Sequence, residues 1–285
     1  MLFVPGTHAR AMEKVREIPA DAFVFDLQDA VLPDRKPSAR DAVRARLDTV
    51  EDGADRPARE WAVRVNHPDS PWGAGDVEAL ADAPRLDGVL VPRVESAKEL
   101  RYVEAMLDRC GAPDGLRLMA MIETPLGVLE ARAIAEATPR LSALVVGTND
   151  LLAELGARST PGRSSLLTAL SMILLAGRAA GVDVIDGVFQ DLEDRGGLEA
   201  ECGQGRALGF VGKTLIHPKQ IDAAHRAFSP SEDEIAEARA VLDGFRAAEA
   251  RGEGVAVVDG RMVEILHARA AERTLALAER IAGRG

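Results

Sequence analysis

AFVFDL, residues 22–27, carries a single charge, and that charge, Asp26, sits near the end of the run. A continuous apolar stretch of this length reads as a strand buried on both faces, the kind that parallel sheets place under a cover of helices. QDAV (28–31) follows at once, so Asp26, Gln28 and Asp29 gather where the strand stops.

Seven further runs share that character: LFVP (2–5), WAVRVN (61–66), DGVLVP (87–92), LRLMAMIE (116–123), SALVVG (142–147), VDVIDGV (182–188) and FVGKTLI (210–216). Helical patterns fall between them over 37–50, 76–82, 96–109, 127–137, 164–180 and 193–208. Alternating strands and helices predict an α/β fold, and eight units in a 285-residue chain predict a closed (β/α)8 TIM barrel. An open doubly wound sheet is the competing architecture. Its dinucleotide-binding form is disfavoured, because no G-x-G-x-x-G follows the first strand. EDGAD (51–55) and GEG (252–254) read as solvent turns.

The pattern changes after residue 228. In FSPSEDEI, Ser231 and Glu234 have the spacing of a capping box and predict a helix over 232–251. VAVV and RMVEI then flank Asp259-Gly260, a hairpin signal, and a last helix is expected over 267–282. The predicted organisation is a barrel over 1–228 and a helix–hairpin–helix extension over 229–285, packed as decoration or serving as a lid.

The formal charge of −11 argues against a nucleic-acid partner, which requires a basic stripe. Cys110 and Cys202 match no metal spacing and read as reduced thiols. No basic segment followed by a long apolar run opens the chain, and SMILLAG (171–177) is too short to span a membrane. These features give a cytoplasmic protein with no membrane partner as the expectation.

Chemistry in such a barrel sits where the strands end. Those ends carry Asp26, Gln28 and Asp29, Arg64 and Asn66, Arg93, Glu123 and Thr124, Gly147 to Asp150, Asp186, and Lys213 with His217. Glu123 and Asp150 end neighbouring strands. Two converging carboxylates either share a hard cation such as Mg²⁺ or pair with Arg64 and cap helices; residue pattern alone leaves both readings open. No His/Cys set supports zinc. Arg64 is suited to clamp a carboxylate, or to neutralise Glu123 or Asp29. Lys36 and Arg40 share a helix face at i,i+4 and suit a phosphate grip or a solvated face; Arg10 and Lys14 repeat the spacing. PGRSS (161–165) matches no nucleotide fingerprint.

Taken together, LFVPG (2–6), FDLQDAV (25–31), KPSAR (36–40), VRVN (63–66), MIETPLG (121–127), VGTNDLLAELG (146–156), IDGVFQDLED (185–194) and GFVGKTLIHPKQI (209–221) resemble the citrate lyase β-subunit-like branch of the HpcH/HpaI aldolase superfamily. Malyl-CoA and citramalyl-CoA lyases belong to the same superfamily. The resemblance implies a (β/α)8 barrel assembled as a trimer or larger homo-oligomer. It implies Mg²⁺ on Glu123 and Asp150, and Arg64 on the oxo-acid part of the ligand. Gly147, Thr148 and Asn149 would orient that ligand, and the loop of Lys36 and Arg40 would approach the phosphates of CoA or of a carrier-protein thioester. Lys213 is counted with those phosphate contacts. The implied reaction is Mg²⁺-dependent carbon–carbon cleavage of a citryl, citramalyl or malyl thioester, with Arg64, Asp29, Gln28 and Glu264 as catalytic candidates. A citrate lyase carrier subunit is a possible partner on this resemblance. Condensation, thioester hydrolysis and non-catalytic binding of oxo acid or CoA are the alternatives.

The chain departs from the family pattern at three places. Gln28 stands where a Glu is usual, and Asn149 where another acid is common. Met262-Val263-Glu264-Ile265-Leu266 replaces an M-I-D-x-P lid motif whose Asp is the proposed acid/base from a neighbouring subunit. Glu264 can perform the same proton chemistry, with its carboxyl displaced by one methylene.

Overall fold

A computed structural model describes residues 1–49 and 59–283, so the turn expected at 51–55 lies outside the described residues. The chain forms two compact units, Met1–Ala224 and His225–Gly285. Among the described residues, no helix is long and apolar enough to cross a membrane. Cys110 and Cys202 are free thiols.

The first unit holds eight strands: β1 (Leu2–Pro5), β2 (Ala22–Asp26), β3 (Glu60–Arg64), β4 (Gly88–Val91), β5 (Arg117–Ile122), β6 (Leu141–Val146), β7 (Asp183–Asp186) and β8 (Gly212–Lys213). They pair in sequence order, every neighbour parallel. The sheet closes on itself: Phe3 N–H donates to Leu215 O at 2.9 Å, and Leu215 N–H to Met1 O at 2.8 Å. The expected TIM barrel is therefore the observed one.

Helices α1 (Ala9–Lys14), α2 (Lys36–Asp48), α3 (Gly73–Leu80), α4 (Ala97–Arg109), α5 (Pro125–Leu129), α6 (Ala131–Ala135), α7 (Thr148–Glu154), α8 (Leu167–Ala180) and α9 (Arg195–Leu208) lie between the strands. SMILLAG falls inside α8. The single helix expected over 127–137 is two short ones that meet at Glu130, whose backbone leaves the helical region. Helix α10 (Ile221–Phe228) follows the last barrel strand.

Strand side chains alternate faces, so every second residue enters the barrel. Val24, Ala62, Leu90, Met119, Met121, Ala143 and Val145 fill that interior, joined by Phe3 and Ile185. Two residues beyond Val24 on the same face comes Asp26; two beyond Ala62, Arg64; two beyond Met121, Glu123. The polar site is thus the next interior layer of the barrel, stacked directly on its apolar core.

The second unit contains α11 (Glu232–Glu249), the antiparallel hairpin β9 (Ala256–Val258) and β10 (Arg261–Val263), and α12 (Ile265–Ala282). Ser231 Oγ accepts the Glu234 N–H at 3.2 Å while Glu234 Oε2 accepts the Ser231 N–H at 2.7 Å, the reciprocal cap expected from their spacing. Asp259 and Gly260 turn the hairpin with φ of 48° and 74°. Leu242, Phe245, Ala248, Val263 and Ala268 form this unit's own core.

Behind the barrel rim lies a buried ionic cluster. Lys213 Nζ donates to Asp186 Oδ2 (3.2 Å), Glu201 Oε1 (2.6 Å) and Gly187 O (2.6 Å), and Arg163 Nη1 donates to Asp186 Oδ1 (2.6 Å). Two cations balance two carboxylates with almost no solvent present. Lys213→Met should leave Asp186 and Glu201 with Arg163 alone and lower unfolding free energy by about 3–5 kcal/mol, read from the urea midpoint. A loss below about 1 kcal/mol would mean the cluster does not need its lysine.

Candidate active site

A cavity of about 380 Å³ opens at the C-terminal ends of the strands, lined by Asp26, Asp29, Arg64, Glu123 and Asp150 among others. Asp26 and Arg64 are register partners on β2 and β3. Arg64 Nε donates to Asp26 Oδ1 at 2.8 Å and Nη2 to Oδ2 at 2.7 Å, a two-bonded fork. The same carboxylate accepts the N–H groups of Gln28 (2.9 Å) and Ala30 (3.3 Å), which fixes the turn after β2. The guanidinium lies over the Phe3 ring, 4.9 Å from its centroid. Its remaining nitrogen, Nη1, sits 3.6 Å from Asp29 Oδ2 and 3.7 Å from Met121 Sδ. Asp26 did not stand out from the sequence as this arginine's partner; the matching strand-end positions of AFVFD and EWAVR were the available signal.

Glu123 is 1% exposed. Arg93 holds it by a backbone N–H to Oε1 at 2.8 Å, from a left-handed backbone with φ of 49° that is uncommon outside glycine. Its other oxygen is pressed against Gly147, where any Cβ would stand 2.3 Å from Oε2. Burial, and then the charge of Asp150, push the Glu123 carboxyl up to about 7. Asp150 lies in the first turn of α7 with a half-exposed side chain, 3.9 Å from Arg93 Nη1. The Arg93 guanidinium also pairs with Glu154. Asp29 is exposed on the cavity rim; partial burial raises its pKa, opposed by Arg64 and reinforced by Asp26 and Asp150.

A carboxylate held this far from water, with a second beside it, is a costly arrangement without a cation. The donors are oxygens only, which suits a hard divalent ion with open positions for water or ligand. Among the described residues no group of three or more His, Cys, Asp or Glu is arranged to hold a metal. Glu123 and neighbouring Asp150 form an all-oxygen pair of the kind that suits Mg²⁺, in a cavity whose lining also carries Asp26 and Asp29.

Gly147, Thr148 and Asn149 line the cavity, as the sequence expectation required of a ligand-orienting wall. Gln28 does not line it; its Oε1 is buried without a hydrogen-bond partner among the described residues. Two of the three expected phosphate contacts are turned inward. Lys36 Nζ, in a residue only 7% exposed, donates to Leu27 O (3.1 Å), Gln28 O (2.7 Å) and Asn66 Oδ1 (2.6 Å), and lies 5.2 Å from the Trp72 ring centroid. Lys213 is locked in the ionic cluster. Three inward acceptors complete each ammonium, so neither is free for a phosphate. Arg40 keeps partial exposure and lies 3.6 Å from buried Asp76. Glu264 lies in the second unit at the start of α12, where its N–H donates to His267 Nδ1 at 3.0 Å.

A parallel barrel with one arginine and four carboxylates around a strand-end cavity has the form of a barrel enzyme with an acidic, metal-compatible centre. Comparison with known proteins makes the class particular. The model of the HpcH/HpaI aldolase/citrate lyase family matches residues 1–218, and the chain belongs to that family. A (3S)-malyl-CoA thioesterase of Cereibacter sphaeroides (strain ATCC 17029 / ATH 2.4.9) is 48% identical over 282 residues, covering 99% of this chain and 95% of that protein. Citrate lyase subunit beta of Escherichia coli (strain K12) is 37% identical over 269 residues, covering 93% and 87%. The crystal structure of protein CitE from Mycobacterium tuberculosis, in complex with magnesium, acetoacetate and coenzyme A, shares 32% identity. It aligns with a TM-score of 0.78 over 98% of this chain and 97% of that one.

Titration of Glu123 gives a test that needs no substrate. An unfolded glutamate ionises near 4.5 and the folded one near 7, so between those values the folded chain binds more protons. Stability of the metal-free protein therefore falls as pH rises from about 4.5 to 7 and levels off above. Glu123→Gln should remove this slope and leave the metal-free variant more stable than wild type at pH 8, by on the order of 3 kcal/mol. Parallel pH–stability curves for the two proteins in chelator would contradict the assignment.

Proposed function

We propose that the protein is a Mg²⁺-dependent carbon–carbon lyase that cleaves a short 3-hydroxyacyl thioester into an oxo acid and an acyl thioester. The observation that carries this reading is the Glu123 carboxyl, its pKa raised first by burial and then by Asp150, in one cavity with the forked Arg64. Relatives named for citrate lyase and for malyl-CoA, and a structural neighbour holding magnesium, an oxo acid and coenzyme A, support it.

Glu123 and Asp150 would hold the ion, which supplies positive charge beside the oxygen that becomes the carbonyl. Arg64 Nη1, the guanidinium nitrogen not bonded to Asp26, binds the ligand carboxylate. Gly147, Thr148 and Asn149 orient it from the facing wall. Asp29, with a raised pKa on the open rim, accepts the proton of the C3 hydroxyl. The C2–C3 bond then breaks: the C3 oxygen becomes a carbonyl and the electron pair passes to C2 as a thioester enolate. Glu264, delivered by the second unit of a neighbouring copy in a homo-oligomer, gives C2 its proton. Arg40 is left as the basic contact for a CoA phosphate. Gln28 is half-buried beside this machinery, and its backbone, bonded to Asp26 and Lys36, forms part of the turn that presents Asp29.

A second reading, hydrolysis, is favoured by the name shared by the 48%-identical relatives. Water would then add to the thioester carbonyl and the CoA thiolate would leave, with the C2–C3 bond intact. The products separate the two. With malyl-CoA and Mg²⁺, cleavage gives glyoxylate and acetyl-CoA in equal amounts, whereas hydrolysis gives malate and free CoA. Chelation should abolish either activity, and turnover that persists in excess chelator would sink the metal-dependent reading. Glu264→Gln is expected to lower kcat by about a hundredfold or more with KM little changed. Unchanged kcat would remove Glu264 from the proton step.

A further inference from the structure

We propose that Glu154 is a positioning residue for the metal pair: by bonding the Arg93 guanidinium it holds that cation off Asp150 and leaves the Asp150 carboxylate open to a divalent ion. This role rests on the reading above that Glu123 and Asp150 take Mg²⁺, and it holds whether cleavage or hydrolysis follows. Neither Arg93 nor Glu154 is among the residues that line the cavity, so each acts from behind its wall.

The site shows an arginine facing a carboxylate twice, with different results. Asp26 is closed by its arginine, because Arg64 donates to both of its oxygens, at 2.8 and 2.7 Å. Asp150 faces Arg93, yet Nη1 stops 3.9 Å from Oδ1, beyond hydrogen-bond range. A third group makes the difference. Asp150 and Glu154 stand four residues apart on α7 and so share one helix face. Glu154 takes the other end of the guanidinium, accepting from Arg93 Nη2. An arginine drawn to the second carboxylate is held away from the first. Seated on Asp150, the same guanidinium would do what Arg64 does on Asp26, neutralising the carboxylate and occupying both oxygens. A hard cation needs those oxygens for direct bonds, so a forked arginine and the ion exclude one another.

Arg93 is fixed from the opposite side of the pair. Its backbone N–H donates to Glu123 Oε1 at 2.8 Å, from a φ of 49°. Glycine would deliver that N–H with less strain. Strain retained at a non-glycine residue points to a task for the side chain. One residue thus spans both carboxylates, bonding Glu123 through its backbone and facing Asp150 with its guanidinium. The Arg93 and Glu154 side chains are 39% and 35% exposed, and a pair this open adds little to folding stability. Its effect falls on Asp150.

Calorimetric titration of Mg²⁺ into the metal-free full chain tests this without substrate. Glu154→Ala should release Arg93 onto Asp150 and weaken Mg²⁺ binding by about tenfold, with the urea midpoint little changed. Arg93→Gln keeps the backbone donor and removes the competing cation, so Mg²⁺ should bind about threefold tighter or more. In the Arg93→Gln background, Glu154→Ala should then alter the affinity by less than about twofold, because its route is the arginine. An equal loss in both backgrounds would mean that Glu154 acts through its own charge, and it overturns the proposal. Unchanged affinity in Glu154→Ala, or weaker binding in Arg93→Gln, overturns it as well. Wild-type protein that binds no Mg²⁺ removes the metal reading and the role of Glu154 together, whereas binding indifferent to both substitutions removes the role of Glu154 alone.

Discussion

The fork between Asp26 and Arg64 is the interaction on which the rest of the site depends. It joins β2 to β3 at the level where the barrel interior changes from apolar to charged, and one carboxylate performs three tasks there. It binds two guanidinium nitrogens, it accepts the N–H groups of Gln28 and Ala30, and through that turn it sets where Asp29 stands. A charge pair this enclosed contributes little net stability against an apolar substitute, but it leaves a large penalty when one member is removed. Its value is positional. Arg64 is aimed because Asp26 holds two of its three nitrogens.

Around that fork the barrel keeps polar groups that fold it apart from polar groups that meet a ligand. Lys36 and Asn66 tie the turn after β2 to the end of β3, and Asn66 in turn donates to buried Asp76 on α3 at 2.6 Å. Lys213, Arg163, Asp186 and Glu201 do the equivalent work at β7 and β8. The backbone oxygen of Asp186 accepts both the N–H and the hydroxyl of Thr214, a cavity residue, so this cluster also sets a wall of the site. Buried networks are stabilising only when their members are satisfied, and both are nearly complete. The cavity between them is the exception, with carboxylates outnumbering cations. That imbalance marks it as the place where something positive is to bind.

The strands were legible because burial on both faces writes a continuous apolar run, and each of the eight ends within a few residues of its expected position. Short helices were not. Helix α7 has seven residues and begins inside what reads as a strand end, and α1 has six; neither is long enough to show a 3.6-residue period. Site residues divided in a similar way. That Glu123, Asp150, Arg64 and Asp29 would gather at one cavity was legible because a charge at the end of a buried strand has few places to go. Lys36 and Lys213 were misassigned because sequence gives a lysine's position but not the direction of its four-carbon stem. Each stem here runs inward to backbone and side-chain oxygens. Arg93 contributes to Glu123 through a backbone N–H in a left-handed conformation, a role that residue type does not announce.

The departures from the family pattern gain a physical meaning from this geometry. A glutamate at position 28 would place another negative group beside Asp26 and Asp29, next to a cavity already in anionic excess. Gln28 keeps the shape and withholds the charge, and the Lys36 ammonium bonds its backbone oxygen, a contact that does not depend on the side chain. Asn149 makes the same exchange on the opposite wall. Both changes reduce the negative charge that a ligand carboxylate must face, while the pair formed by Glu123 and Asp150 is retained. On the proposed reading, neutral side chains at positions 28 and 149 lower the charge around the Glu123 and Asp150 pair without removing either of its carboxylates.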